Sequence, residues 1–319
     1  MFTSRVVGFG HYLPQTIMKN CDFEASLETS DEWITSRTGI KQRHIKSPHE
    51  TTSFIATKAA EEALQSNNWD PETVDMIIVA TTTPDHPFPA TAVKVQSNLK
   101  ANKAFAFDVQ GVCAGFIYAL SVADQFIKSG QVKRALVIGA DTMSSLLDWQ
   151  DRNTAVLFGD GCGAYLIESS SYLQNEGILS THLFSDGNHY DLLYVDTNEH
   201  NNERGCIKME GRSIYKHAIK KIGDSVMHAL KANNLTIDDV DWFVPHQANL
   251  RILEAISNQY LIPLEKMIIT VGEHANTCAG TIPLATYEGI KSSKIKKGDL
   301  IVLEALGGGL AWGSAVIRI

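Results

Sequence analysis

No CxxC pair is present. The five cysteines, Cys21, Cys113, Cys162, Cys206 and Cys278, are scattered and odd in number, which argues against a disulfide framework and a zinc site. No segment reaches the ~18 apolar residues of a transmembrane helix, and "MFTSRVVGFGHYLP" has Gly and His where a signal peptide would run uninterrupted and apolar, so a cytoplasmic protein without membrane insertion is expected. Long Lys/Arg runs are missing and the formal net charge is -8, so no nucleic-acid partner is expected. Neither GxxxxGK[ST] nor GxGxxG occurs, which removes the common phosphate-loop readings of its glycines.

With 44% hydrophobic and 20% charged residues over 319 positions, the chain can bury a large core as one big domain or two halves. It repeats itself: "ALQSNNWDPETVD" (63–75) and "ALKANNLTIDDVD" (229–241) share Ala, Leu, Asn, Asn, Val and Asp at a constant offset of 166, too long for a solenoid. Each copy follows a helical pattern and precedes a short apolar strand, "DMIIVATT" or "DWFVPHQ", and "RALVIGAD" and "DLIVLEALGGG" close the two units. Alternating strands and helices imply parallel sheets covered on both faces, and two copies should pack helix against helix into a layered α/β/α/β/α body. The halves are expected to divide as 1–171 and 172–319, near the polar "ESSSYLQNEG".

Within this plan "DVQGVCAGF" (108–116) places Cys113 where a helix opens after a strand, facing unsatisfied N–H groups that favour an anion and lower a thiol's pKa. "TCAGTIPLATYEGIK" matches it in the second half, so Cys278 is expected at the equivalent position, with the site between the halves. His246 in "VPHQANLRI" falls at the carboxyl end of a parallel strand, where open α/β sheets place their chemistry. Asn276 in "EHANTCAG" precedes a helix start, where capping is the plainer role. "EALGGGLAWGS" lets backbone come close to a bound group and aim N–H groups at it, while "GDGCGA" reads as tight turn and packing.

Taken with "TSDEWITSRTGI", "FPATA", "FGDGCGA", "MEGRSIYK" and "GGGLAWGS", these motifs occur in an order that strongly resembles the thiolase-fold condensing enzymes, in particular the β-ketoacyl-acyl-carrier-protein synthase III family, nearly end to end. The resemblance implies a decarboxylative Claisen condensation that initiates type II fatty-acid synthesis. Cys113 would be acylated from acyl-CoA, with acetyl-CoA the expected primer, and His246 and Asn276 would stabilise the enolate formed from malonyl-acyl-carrier protein. Backbone N–H groups of Cys113 and Gly308 would form the oxyanion hole. Trp33, Arg37, Thr38 and Arg152 would contact CoA or line its tunnel, and Phe88 would shape the acyl pocket. A homodimer, no metal and no cofactor beyond the two thioester substrates are further implications.

Two departures stand out. Glu254, Asn258 and Gln259 occupy places where relatives often carry basic residues for the acidic carrier protein, leaving Lys216 and Arg251, with Lys220 and Lys221, as docking candidates. Cys278 stands where a serine is common, as small packing or as a thiolase-like base. A thiolase, a polyketide or alkylquinolone synthase, a papain-like hydrolase with the same Cys, His, Asn order and a catalytically silent scaffold remain the competing readings.

Overall fold

The computed structural model describes residues 2–171, 176–197 and 204–319. Two sheets organise it. The first runs, in spatial order, Phe2–Tyr12, Asp160–Ser171, Arg134–Thr142, Met76–Ala80 and Phe105–Val109, the last three parallel. The second runs Trp242–Pro245, Leu300–Gly307, Ala311–Arg318 and Gly177–Ser185, with its first pair parallel. Strand alternation sorts their side chains into three cores. In Met76–Ala80, residues 76, 78 and 80 enter a central core shared with Ile301, Leu303 and Ala305 of the second sheet. Ile77 and Val79 face an outer core under the helix Thr52–Ser66. Leu300 and Val302 face the opposite outer core under the helix Gly211–Ala232. The central core holds the helices Gly115–Lys128 and Thr281–Lys291, so the body has the five layers expected.

Five of the six repeated residues do the same work in both halves. Ala63 and Leu64 are buried in one outer core, Ala229 and Leu230 in the other. Asn68 and Asn234 adopt φ of +52° and +56°, a left-handed step that Asn tolerates better than most residues and that ends each helix. Val74 and Val240 are buried, and the Asp75 and Asp241 carboxylates, each just ahead of a strand, accept backbone N–H bonds from the start of the parallel strand beside it, Arg134 at 2.9 Å and Leu300 at 2.7 Å. The repeated letters therefore record helix stops and strand starts, not chemistry.

The equivalence expected for Cys278 is off by one residue. Short 3-10 turns, Val112–Ala114 and Cys278–Gly280, lead into the two central helices. Val112 and Cys278 both carry positive φ, +48° and +52°, a conformation costing about 1–2 kcal/mol in an ordinary residue. Structurally, then, Cys278 matches Val112, and Ala279 matches Cys113. Matching the CAG triplets by letter overrides the 166-residue register that the backbone obeys.

The second sheet also lacks a counterpart of Phe105–Val109. There a single bridge between Phe243 and Met267 remains, followed by the short helix Val271–His274. The expected boundary at 171/172 meets residues 172–175, which lie outside the described residues. No helix among the described residues is long and apolar enough to cross a membrane.

Candidate active site

Cys113 sits in the middle of its 3-10 turn, only 4% exposed, at the end of the edge strand Phe105–Val109 and ahead of Gly115–Lys128. Its thiol is held well below the usual cysteine range. The Cys278 thiol hydrogen-bonds to it and His246 adds a favourable charge, together outweighing the burial that opposes ionisation. Cys278 is pushed the other way, by burial first and then by its role as donor to Cys113. Its Sγ also lies 3.8 Å from Thr82 Oγ1. Cys162, buried without such a donor, is pushed up as an inert thiol would be.

His246 follows the strand Trp242–Pro245, its N–H donating to the Glu304 carbonyl at 2.8 Å. Its Nδ1 lies 2.6 Å from Thr281 Oγ1. Asn276 is tethered by a bridge to Phe158, with its N–H on the Leu157 carbonyl and its own carbonyl accepting from Gly159. Its side-chain Oδ1 accepts the Cys278 N–H at 2.9 Å, so the turn is capped and the Nδ2 hydrogens are left to donate elsewhere. The capping role and a donor role are served by opposite ends of one carboxamide. His246 and Asn276 are 4% and 6% exposed.

The two halves differ at the ends of their closing strands. Asp141, fully buried at the end of the first sheet's central strand, accepts at Oδ1 from Thr81 Oγ1 and from the N–H and Oγ1 of both Thr82 and Thr83. Its Oδ2 accepts the Ala279 N–H at 3.0 Å. Even with these donors, burial raises its pKa. The matching residue in the second half is Gly307, and a Cβ there would come within 2.6 Å of the Cys113 nitrogen. One turn thus has a resident carboxylate on its N–H; the other has open backbone. On Gly308 a Cβ would meet the Leu193 carbonyl oxygen at 2.8 Å, so this position also needs glycine.

Around the two cysteines pack Met143, Leu146, Leu147, Phe158 and Ile207, with Leu193 and Met209 beside them. Phe158 and Met209 open the motifs "FGDGCGA" and "MEGRSIYK", but no motif marks the others; they come from separate loops and the small two-stranded sheet of Leu193–Thr197 and Arg204–Met209, and only the fold assembles them. Asp141 and Thr281 lie within "RALVIGAD" and "TCAGTIPLATYEGIK", where the strand and helix patterns draw no attention to one polar side chain.

Of the residues expected to contact a nucleotide, Trp33 is approached by two guanidinium groups, Arg37 at 4.7 Å and Arg152 at 4.6 Å from its ring centroid. Thr38 is buried, its hydroxyl donating to the Ile34 carbonyl and accepting the Ile40 N–H. Asn249 caps the helix Leu250–Tyr260 and its Nδ2 donates to the Arg37 carbonyl, joining this patch to the His246 loop. Phe88 is 85% exposed and stands outside the apolar cluster around Cys113. Lys216 and Arg251 are exposed and carry no ion-pair partner among the described residues, whereas Lys220 and Lys221 bridge to Asp224 and Asp186. "FGDGCGA" does pack tightly: a Cβ on its Gly163 would fall 2.7 Å from Pro283. Among the described residues no group of three His, Cys, Asp or Glu is placed to hold a metal.

A duplicated five-layer α/β body with a single activated cysteine at its centre is the architecture of the thiolase-fold condensing enzymes. Residues 107–187 match the family model 3-oxoacyl-[acyl-carrier-protein (ACP)] synthase III, and 230–319 match its C-terminal model. The β-ketoacyl-[acyl-carrier-protein] synthase III of Paramagnetospirillum magneticum is 53% identical over 99% of both chains, and that of Ehrlichia canis 52% over 100% of both. The crystal structure of 3-oxoacyl-[acyl-carrier-protein] synthase III from Aquifex aeolicus superposes with a TM-score of 0.94 at 44% identity, covering 99% of this chain and 100% of that one. The chain belongs to the β-ketoacyl-[acyl-carrier-protein] synthase III family.

Proposed function

We propose that this chain is the condensing enzyme that starts fatty-acid chains, taking a short acyl group, acetyl foremost, from acyl-CoA onto Cys113. The observation that carries the reading is the lowered pKa of Cys113 at an open helix start, beside His246 and the free amide end of Asn276. In the first half-reaction the thiol proton passes to His246 Nε2 and the thiolate attacks the acyl carbonyl. Cys113 and Gly308 N–H groups receive the oxyanion, and CoA leaves. Malonyl-acyl-carrier protein then binds; His246 and Asn276 donate to its thioester oxygen as the C–C bond to the carboxylate breaks. The electron pair becomes an enolate, CO2 departs, and the enolate carbon attacks the acyl-Cys113 carbonyl. Collapse expels the Cys113 thiolate and releases β-ketoacyl-acyl-carrier protein. Loss of CO2 supplies the carbon nucleophile, so the reaction calls on no metal or redox group.

In this reading the halves 1–171 and 172–319 supply the nucleophile and the His–Asn pair. Trp33, Arg37 and Arg152 offer a flat ring and forked donors to the CoA nucleotide, with Thr38 shaping the wall beneath them. Lys216 and Arg251 meet the acidic carrier. Phe88 and Phe105, 85% and 45% exposed, suit burial against a second copy, where Phe88 would reach the partner's acyl pocket. Five free thiols suit a reducing cytoplasm.

The test is intact-mass analysis after incubation with acetyl-, isobutyryl- and longer acyl-CoAs, with Cys113→Ala as control, followed by malonyl-acyl-carrier protein. The expected result is an adduct on Cys113 that discharges only with malonyl-carrier and CO2 release. An adduct that hydrolyses and ignores malonyl-carrier would overturn the reading.

A further inference from the structure

Thr281 touches His246 and nothing assigns it a role. Its Oγ1 lies 2.6 Å from His246 Nδ1 and 3.1 Å from the Cys278 carbonyl oxygen, in a pocket where Thr281 is 2% exposed. A hydroxyl has one hydrogen and two lone pairs, and a carbonyl oxygen can only accept. If the hydrogen turned to Nδ1, two oxygens would face each other at 3.1 Å with no proton between them. With the hydrogen on the Cys278 carbonyl, the Oγ1 lone pairs face Nδ1, which must then carry its own hydrogen. The Cys278 carbonyl is fixed for this purpose, since the Thr281 backbone N–H also donates to it.

We infer that Thr281 is a positioning residue that holds His246 with its proton on Nδ1, so that the Nε2 lone pair is presented to the Cys113 thiol. The inference rests on the proposed condensation and adds a consequence to it. A ring locked this way has no Nε2–H when neutral, so it can donate to the enolate only as the imidazolium. The proton it donates is the one taken from Cys113, kept on Nε2 through decarboxylation, while the departing CoA thiolate takes its proton from water. Condensation then returns the Cys113 thiolate beside the same imidazolium, and one proton is consumed per turnover. The ionisable groups around His246 are Cys113 and Cys278 on the two turns and Asp141 behind Ala279. Glu304 offers only its backbone carbonyl, its side chain falling on the sheet's other face by strand alternation.

The experiment is 15N NMR of histidine-labelled Cys113→Ala protein, where no thiolate pairs with the ring, alone and combined with Thr281→Val or Thr281→Ser. Neutral His246 is expected to be protonated at Nδ1 while Thr281 is kept or replaced by serine, and to move to Nε2–H in the valine variant, which keeps the shape and loses the hydroxyl. In the same proteins, malonyl-acyl-carrier protein decarboxylation should fall as pH rises, and in Thr281→Val this alkaline limb should flatten. With Cys113 intact, Thr281→Val should slow acylation by about tenfold, as loss of one buried hydrogen bond does, and Thr281→Ser should restore it. Neutral His246 found as Nε2–H beside Thr281 would overturn the inference. So would an alkaline limb unchanged by valine. Absence of decarboxylation in every variant would instead count against the proposed reaction, and the NMR arm would still decide the tautomer.

Discussion

The Ala279 N–H donates to the Asp141 carboxylate at 3.0 Å, and in the other half Cys113 takes Ala279's place with Gly307 where Asp141 would be. The second half thus displays, with a permanent carboxylate, what the proposed reaction asks of the first half's turn for a transient oxyanion. An N–H at this position can carry a negative oxygen when buried, and the first half leaves that N–H free for substrate.

Filling that space should be costly. Gly307→Ala puts a methyl group 2.6 Å from the Cys113 nitrogen, against backbone that cannot yield. Acylation of Cys113 should slow by about 10²–10³-fold, the scale of losing one oxyanion donor. Gly187→Ala, with nothing within 4 Å of the added carbon, should leave the rate unchanged. Stopped-flow acylation followed by mass spectrometry reads both, and a wild-type rate in Gly307→Ala would remove the turn from the oxyanion hole.

The Cys278 thiol beside Cys113 favours its ionisation. Cys278→Ala deletes the principal hydrogen bond that favours the thiolate, so the Cys113 pKa should rise and its iodoacetamide reactivity at neutral pH should fall; Cys278→Ser, still a donor, should change it less. The pH profile of alkylation is the measurement. Identical profiles for alanine and wild type would mean His246 alone activates the nucleophile.

Glu304 should make the protein less stable in mild alkali. Burial raises its carboxyl from 4.5 to about 8, and Oε2 has no partner. The folded protein holds this proton between those pH values and the unfolded chain does not. Its contribution is therefore full below 4.5 and declines as pH rises to 8, at about 1.4 kcal/mol per pH unit inside the window. Glu304→Gln should flatten the decline, with the larger gain in urea midpoint at about pH 8 than at about pH 5. Parallel curves for the two proteins would show that this carboxyl does not stay protonated.

At the distant patch the readout is binding rather than chemistry. Arg152→Ala removes a guanidinium from Trp33 and should raise KM for acyl-CoA several-fold, more at low salt than at high, with iodoacetamide alkylation of Cys113 unaltered. A KM unchanged at every ionic strength would place the CoA nucleotide elsewhere.

Much of this is legible in the letters. The layers follow from alternating strands and helices, and the halves from "ALxxNN", because helix stops and strand starts demand particular residues at particular steps. His246 can be found because it ends an apolar strand pattern, and Asn276 because it stands just ahead of a helix start. Thr281 and Asp141 cannot, since their significance lies in what stands opposite them across the central core. The register of Cys278 misleads for a related reason: identical letters suggest an alignment, but positive φ at Val112 and Cys278 fixes it one residue away. Thr38 shows the reverse, a motif residue whose hydroxyl is spent within its own helix end.

The two halves also differ in how their sheets end. The first stops at Phe105–Val109, a parallel strand that pairs on one side only among the described residues, while the second stops at one bridge to Met267 and a helical turn. Of the two parallel edges only one can accept another strand. Should copies associate there, the symmetric joint consumes this edge on both sides, so pairing through it stops at two, and the helical turn at the second sheet's parallel edge offers no like strand from which a fibre could grow.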